Sequence, residues 1–172
     1  MKIVVIGSLN MDLVVNVRQY PQQGETVLAS DVVFIPGGKG ANQAVALGRL
    51  GASVRMVGRL GSDTFATQLR AGIESAGVDA GCVASVPGPS GTALITASAA
   101  GENTIVVIPG ANATLRPDDL DEYRELLSQA AMILAQLEIP LDTTVRLGKI
   151  AQAVGVPLLL DPAPACALPG EL

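Results

Sequence analysis

Short apolar runs alternate with longer amphipathic stretches along this chain. Residues 2–6 (KIVVI), 54–58 (VRMVG), 132–136 (MILAQ) and 157–161 (PLLLD) are apolar, brief and bounded by turn residues, which predicts buried strands. Helices are predicted between them. Residues 41–50 put Ala41, Val45 and Gly48 on one face and end at Gly51, a glycine suited to a left-handed C-terminal turn. Residues 63–76 follow Ser62, a good N-cap, and end at Gly77. Residues 117–130 open with Pro117, Asp118, Asp119 and Asp121, acids that suit the positive end of a helix dipole. Residues 142–154 follow Pro140 and stop before Gly155. This alternation predicts an α/β fold: a mainly parallel, Rossmann-like sheet flanked by helices.

Two stretches break the rhythm. Residues 11–35 and 91–109 are rich in Val, Ile, Thr and Ala, with turn-like interruptions. Gly101-Glu102-Asn103 sits between ALITASAA and TIVVIP, where a hairpin turn belongs. These segments are expected to form a small sheet apart from the main one, able to cover a pocket or to pair with its copy on another subunit. The chain ends at Pro169-Gly170-Glu171-Leu172, just after a strand and a loop. The main sheet would then have an open edge and a half-made crevice, so 1–172 reads as the N-terminal portion of a domain whose C-terminal part is missing.

Composition narrows the chemistry. The aromatics are Tyr20, Phe34, Phe65 and Tyr123, so the core must be built of Val, Ile, Leu and Ala, which suits strands buried on both faces. The net charge is −5 and no Lys/Arg cluster is present, which argues against nucleic acid or an anionic membrane as partner. No apolar run is long enough to span a bilayer, and the apolar start is too short for a signal peptide; a cytoplasmic location is expected. With no histidine, Ser-His-Asp and Cys-His catalysis and His-ligated metals are excluded within this chain. Cys82 and Cys166 match no metal or redox spacing and read as reduced thiols.

Three constellations stand out. Gly37-Gly38-Lys39-Gly40-Ala41-Asn42-Gln43 leads into a helix. Its glycines permit close backbone approach to a ligand or a structural tight turn, and the spacing serves either. It is not a Walker A loop, because Val33 stands five residues before Gly38 and Gly40 follows Lys39; the dinucleotide pattern fails at Gln43. Gly7-Ser8-Leu9-Asn10-Met11-Asp12 follows the first strand. In an extended segment Asn10 and Asp12 point the same way, as a pair for vicinal hydroxyls or as Asx groups of a turn. Gln136-Leu137-Glu138 ends an apolar strand and sets a carboxylate at the same sheet edge, facing a ligand or water.

In order along the chain, G-S-L-N-M-D, P-x-x-G-E-T, G-G-K-G-A-N-Q-A, S-G-T-A-L-I, G-A-N-A, Q-L-E and D-P-A-P-A are similar to the ribokinase family of carbohydrate kinases. The resemblance spans the whole chain and is most specific at G-G-K-G-A-N with the helix after it. It implies phosphoryl transfer from ATP to the 5-hydroxyl of D-ribose, giving ribose 5-phosphate, with Mg²⁺ on the nucleotide and K⁺ as activator. By the same resemblance Asn10 and Asp12 hold ribose hydroxyls, Gly38, Lys39 and Asn42 close over the sugar, and Glu138 binds a further hydroxyl. Ala93 and Val107 are implied as apolar contacts from a lid that also forms a homodimer interface. The family's catalytic Asp belongs to a G-A-G-D stretch, and P-N-x-x-E serves Mg²⁺ and phosphate; both are expected beyond Leu172. The competing readings are a sugar-binding or dimerising module without catalysis, and a kinase of the same family for another sugar or a nucleoside.

Overall fold

The computed structural model describes residues 2–172. Its elements run β1 (Lys2–Ile6), β2 (Asn10–Val17), β3 (Val33–Gly37), α1 (Lys39–Arg49), β4 (Ser53–Leu60), α2 (Thr64–Ser75), β5 (Val78–Ser85) and β6 (Gly91–Ser98). There follow β7 (Asn103–Ile108), two 3₁₀ turns (Gly110–Thr114 and Pro117–Tyr123), α3 (Arg124–Ser128), β8 (Met132–Ala135), α4 (Leu141–Val154) and β9 (Leu158–Leu160).

Five parallel strands in the order β5-β4-β1-β8-β9 make the main sheet. Central β1 is apolar on both faces because both are covered. Val5 joins Leu69 and Ile73 in the core under α1 and α2. Val4 and Ile6 join Leu120, Leu127, Leu147 and Ile150 in the core under α3 and α4. From β1 the chain first winds through β4 to β5, then returns to β8 on the other side of β1. That reversal opens a crevice between the carboxyl ends of β1 and β8, where open α/β sheets bind ligands.

The second sheet has the order β3-β2-β6-β7, with β2 and β6 parallel and the other pairs antiparallel. It draws on the segments expected to stand apart, although residues 18–32 contribute no strand. The β6–β7 hairpin turns where expected: Ser98 N–H donates to Glu102 O at 2.9 Å, and Gly101 takes φ 87°. Met11 and Leu13 tuck one face of β2 against the α1/α2 core, and Phe34 meets Phe65 at 5.9 Å between ring centres.

Local differences from the sequence reading have physical causes. β5 was not foreseen, since Asp79 and Gly81 interrupt its apolar pattern; only its inward positions Val78, Ala80 and Val83 are buried. Residues 117–130 form a 3₁₀ turn and a short helix rather than one helix. The Asp119 carboxylate accepts from Arg116 N–H at 2.8 Å and pairs with Arg59 of β4 at 3.0 Å, which tightens the first turns. Helix α1 starts two residues early and buries Gly40, Ala41 and Ala44; Val45 is only half-buried. The C-terminal glycines behave as read, with Gly51, Gly77 and Gly155 at φ 83°, 81° and 70°.

The N-cap of α2 is Asp63 instead of Ser62. Asp63 Oδ1 accepts from Ala66 N–H at 3.0 Å and from the Ser90 hydroxyl at 2.8 Å, while Oδ2 accepts from Ser90 N–H at 2.8 Å. Burial pushes this carboxyl up, but the donors at Ser90 and Ala66 outweigh it and hold it below its ordinary value. A carboxyl lowered by folding adds stability above its unfolded pKa, and loses it as pH falls through the folded value. Asp63→Ala should therefore cost about 1 kcal/mol at neutral pH, the usual worth of an N-cap. The deficit should shrink as pH falls below about 4, the ordinary carboxyl value, and on through the lowered folded one. Urea unfolding of both proteins across this range checks it; a deficit independent of pH would contradict it.

Candidate functional site

The loop after β1, the start of α1 and the loop after β8 meet in the crevice, and one oxygen joins them. Glu138 Oε2 accepts from the Ser8 hydroxyl at 2.5 Å, from Lys39 N–H at 3.0 Å and from the Asn10 side-chain amide at 3.5 Å. Ser8 Oγ in turn accepts from Gly40 N–H at 3.3 Å. Ala41 N–H reaches Ser8 O at 2.9 Å, and Asn42 N–H reaches Gly38 O at 2.8 Å. The first four N–H groups of α1 are thus all satisfied within the protein. The anion at this helix end is Glu138 itself, placed where the dipole favours it.

Two glycines permit that closeness. Gly38 takes φ 90°, and a Cβ there would lie 2.7 Å from Asn10 N. A Cβ on Gly40 would lie 2.6 Å from Ser8 N and 2.7 Å from the Gly7 carbonyl carbon, so the helix could not approach the β1–β2 connection. The glycine loop is therefore a close backbone contact, and the N–H groups of Lys39 and Gly40 at the helix start are not left bare for a phosphate.

The small sheet supplies the other wall in successive rungs. Asn10 pairs with Gly37 and Gly91, and Asp12 pairs with Ile35 and Ala93. Ala93 pairs onward with Val107, so Ile35, Asp12, Ala93 and Val107 share one face. Val107 and Glu138 line one cavity of about 310 Å³ together with Pro109, Ile139 and Pro140. Burial pushes the Asp12 carboxyl up, and the neighbouring Glu138 charge adds to it.

Of the residues singled out in the sequence, Asn10, Asp12, Gly38, Lys39 and Glu138 come together here, with Ala93 and Val107 on the adjoining sheet. Asn42 differs: it is exposed and lines a separate groove of about 350 Å³ with Ile35, Gly37 and Arg49. Ser8 and Asn112 were missed as functional residues. So was a polar row in which Gln136 Nε2 donates to Gln43 Oε1 at 2.6 Å and Gln43 Nε2 donates to Asp161 Oδ2 at 3.3 Å. Each lies within a motif read in the sequence, but its partner is about a hundred residues away. The crevice thus offers two carboxylates and an amide beside apolar side chains, an arrangement suited to a small neutral polyol.

Asp12 binds its proton more tightly in the folded chain than at its ordinary value of 3.8. Stability therefore falls as pH rises from the ordinary value through the raised one, and stays lower above it. Asp12→Asn should raise the unfolding midpoint at pH 7 and leave it nearly unchanged at pH 3. Scanning calorimetry checks this; an unchanged or lower midpoint at pH 7 would show that the site does not strain Asp12.

Comparison with known proteins agrees with this geometry. The model of the pfkB family of carbohydrate kinases matches residues 1–169. A ribokinase of Bacillus subtilis (strain 168) is 43% identical over 170 residues, 98% of this chain and 58% of that protein. A deoxyribokinase of Salmonella typhi is 40% identical over 166 residues, 96% of this chain and 54% of that one. The solved structure of an Arabidopsis thaliana ribokinase complexed with ribose and ATP superposes with a TM-score of 0.85 at 32% identity, over 98% of this chain and 56% of that one. The chain spans about half the length of the curated relatives it matches. With a matched model over nearly its whole length and a polar crevice at the sheet's switch point, the chain belongs to the pfkB family of carbohydrate kinases.

Proposed function

We propose that this chain is the sugar-binding part of an ATP-dependent kinase that phosphorylates D-ribose at its 5-hydroxyl. The observation that carries the reading is the meeting of Asn10, Asp12 and Glu138 at the crevice. Asp12 and Glu138 accept from sugar hydroxyls, Asn10 donates to a sugar oxygen, and Ala93 and Val107 pack on the carbon face. Gly38 shapes the loop under the sugar, Lys39 closes the α1 side, and the exposed Asn42 swings in from its neighbouring groove when the sugar binds. ATP supplies the phosphoryl group. Asp12 and Glu138 are ligands of the sugar here, and neither is assigned as the base that takes its proton. Among the described residues no group of three or more His, Cys, Asp or Glu side chains is placed to hold a metal ion; the Mg²⁺ on the nucleotide and the activating K⁺ are proposed for the full-length protein. Among the described residues no helix is long and apolar enough to cross a membrane.

The full-length protein should turn over ATP with D-ribose and release ribose 5-phosphate in a coupled assay. Faster turnover of 2-deoxy-D-ribose, fructose or a nucleoside would move the substrate within the family. Glu138→Ala should weaken ribose binding in calorimetry by roughly 10- to 100-fold, the worth of a charged hydrogen bond. It should also lower the unfolding midpoint, because α1 loses its cap. Wild-type affinity in that variant would end the assignment.

A second reading, that the small sheet also joins two copies, rests on its apolar face. Val33, Ile35, Ile105 and Val107 are 42%, 45%, 52% and 41% exposed. By register Val33, Val14, Ile95 and Ile105 form one wholly apolar rung, next to the rung of Ile35, Asp12, Ala93 and Val107 on the same face, and an exposed apolar strip of this kind seeks a partner. Sedimentation should show a dimer that Ile105→Asp converts to monomer; a wild-type monomer at micromolar concentration would exclude the pairing.

A further inference from the structure

Asn112 reaches the crevice from outside. It sits in the 3₁₀ turn Gly110–Thr114 and is 1% exposed. Its Oδ1 accepts from Leu9 N–H at 3.0 Å, and its Nδ2 donates to Leu9 O at 3.1 Å. Nδ2 also donates to Asn10 Oδ1 at 2.7 Å. The space for this is made at Gly91, where a Cβ would lie 2.7 Å from Leu9 O and would strike both Asn112 Nδ2 and Asn10 Oδ1.

The two ends of a side-chain amide have the same shape and differ only in what they bond, so partners decide which end faces where. Leu9 leaves no choice, because a backbone N–H only donates and a carbonyl only accepts. That fixes Asn112. Asn112 then offers a donor to Asn10, which must answer with its oxygen. The Asn10 NH₂ is left facing Glu138 and the crevice. Turning Asn10 over would set NH₂ against NH₂ on one side and its oxygen against the Glu138 carboxylate on the other.

We propose that Asn112 is a positioning residue that fixes the hydrogen-bond polarity of the sugar site: through it, the backbone of Leu9 makes Asn10 an obligate donor to the substrate. The assignment of a sugar to this crevice comes from the preceding reading; the orientation of the two amides does not depend on it.

The test is nuclear magnetic resonance of the full-length protein labelled with [¹⁵N]asparagine. In the free wild type, the Asn112 NH₂ protons should exchange slowly with water, and the Asn10 NH₂ signals should move as the neighbouring carboxyls titrate. D-ribose should shift the Asn10 NH₂ signals and leave those of Asn112 in place. In Asn112→Asp the donor is gone, Asn10 turns toward the new carboxylate, its ribose response is lost, and affinity falls by about tenfold or more. Fast exchange of the Asn112 NH₂, or a ribose response at Asn112 and none at Asn10, would overturn the proposal in wild type alone, whether or not the variant folds. A folded Asn112→Asp protein with wild-type affinity and an unchanged Asn10 response would overturn it as well. Free-state signals as expected, with no ribose response, would refute the sugar assignment and leave the amide orientation standing.

Discussion

One carboxylate oxygen holds the crevice together. Glu138 Oε2 collects a hydroxyl from the β1–β2 connection, an amide N–H from the first residue of α1 and the Asn10 side chain. Glu138 lies 99 to 130 residues further along the chain than these three donors. A half-buried carboxylate would ordinarily be costly, but here charge-assisted donors and the positive end of α1 meet it. The architecture supplies the rest: β1 and β8 are neighbours, and the turning of the chain at that point leaves their ends uncovered by any connection.

The main features of this arrangement were legible in the sequence because they obey local rules. The apolar runs of β1, β4 and β8 and the left-handed glycines after α1, α2 and α4 read directly from pattern. β5 did not, because this edge strand buries only Val78, Ala80 and Val83 and sets Asp79 and Gly81 among them. The 3₁₀ geometry after Pro117 was also hidden, since it depends on Asp119 meeting Arg59, a contact of tertiary origin. Asn10, Asp12 and Glu138 could be named from spacing and resemblance, yet nothing local to them shows that they touch. Ser8 and Asn112 illustrate the limit: a small polar residue beside glycine looks like turn chemistry until the fold supplies its distant partner.

The glycine loop shows how one pattern can carry opposite meanings. Read alone, Gly37-Gly38-Lys39-Gly40 before a helix resembles a bare anion cradle. In the fold the N–H groups of Lys39 and Gly40 are already spent on Glu138 and Ser8, and Gly38 and Gly40 let two backbones touch. The negative charge this helix end attracts is internal. What it offers a ligand is a carboxylate held rigidly, and a rigid acceptor suits a neutral sugar hydroxyl better than it suits a phosphate.

The crevice divides its duties unequally between its walls. On the polar wall Ser8, Asn10 and Glu138 are also fasteners of the fold, so exchanging one of them would loosen the scaffold at the same moment. Ala93 and Val107 make no side-chain hydrogen bond that ties the fold, so their volume can change without breaking the polar network. A change of ligand in this scaffold would take the path of least resistance through the size of those two residues, with the Glu138 network left intact.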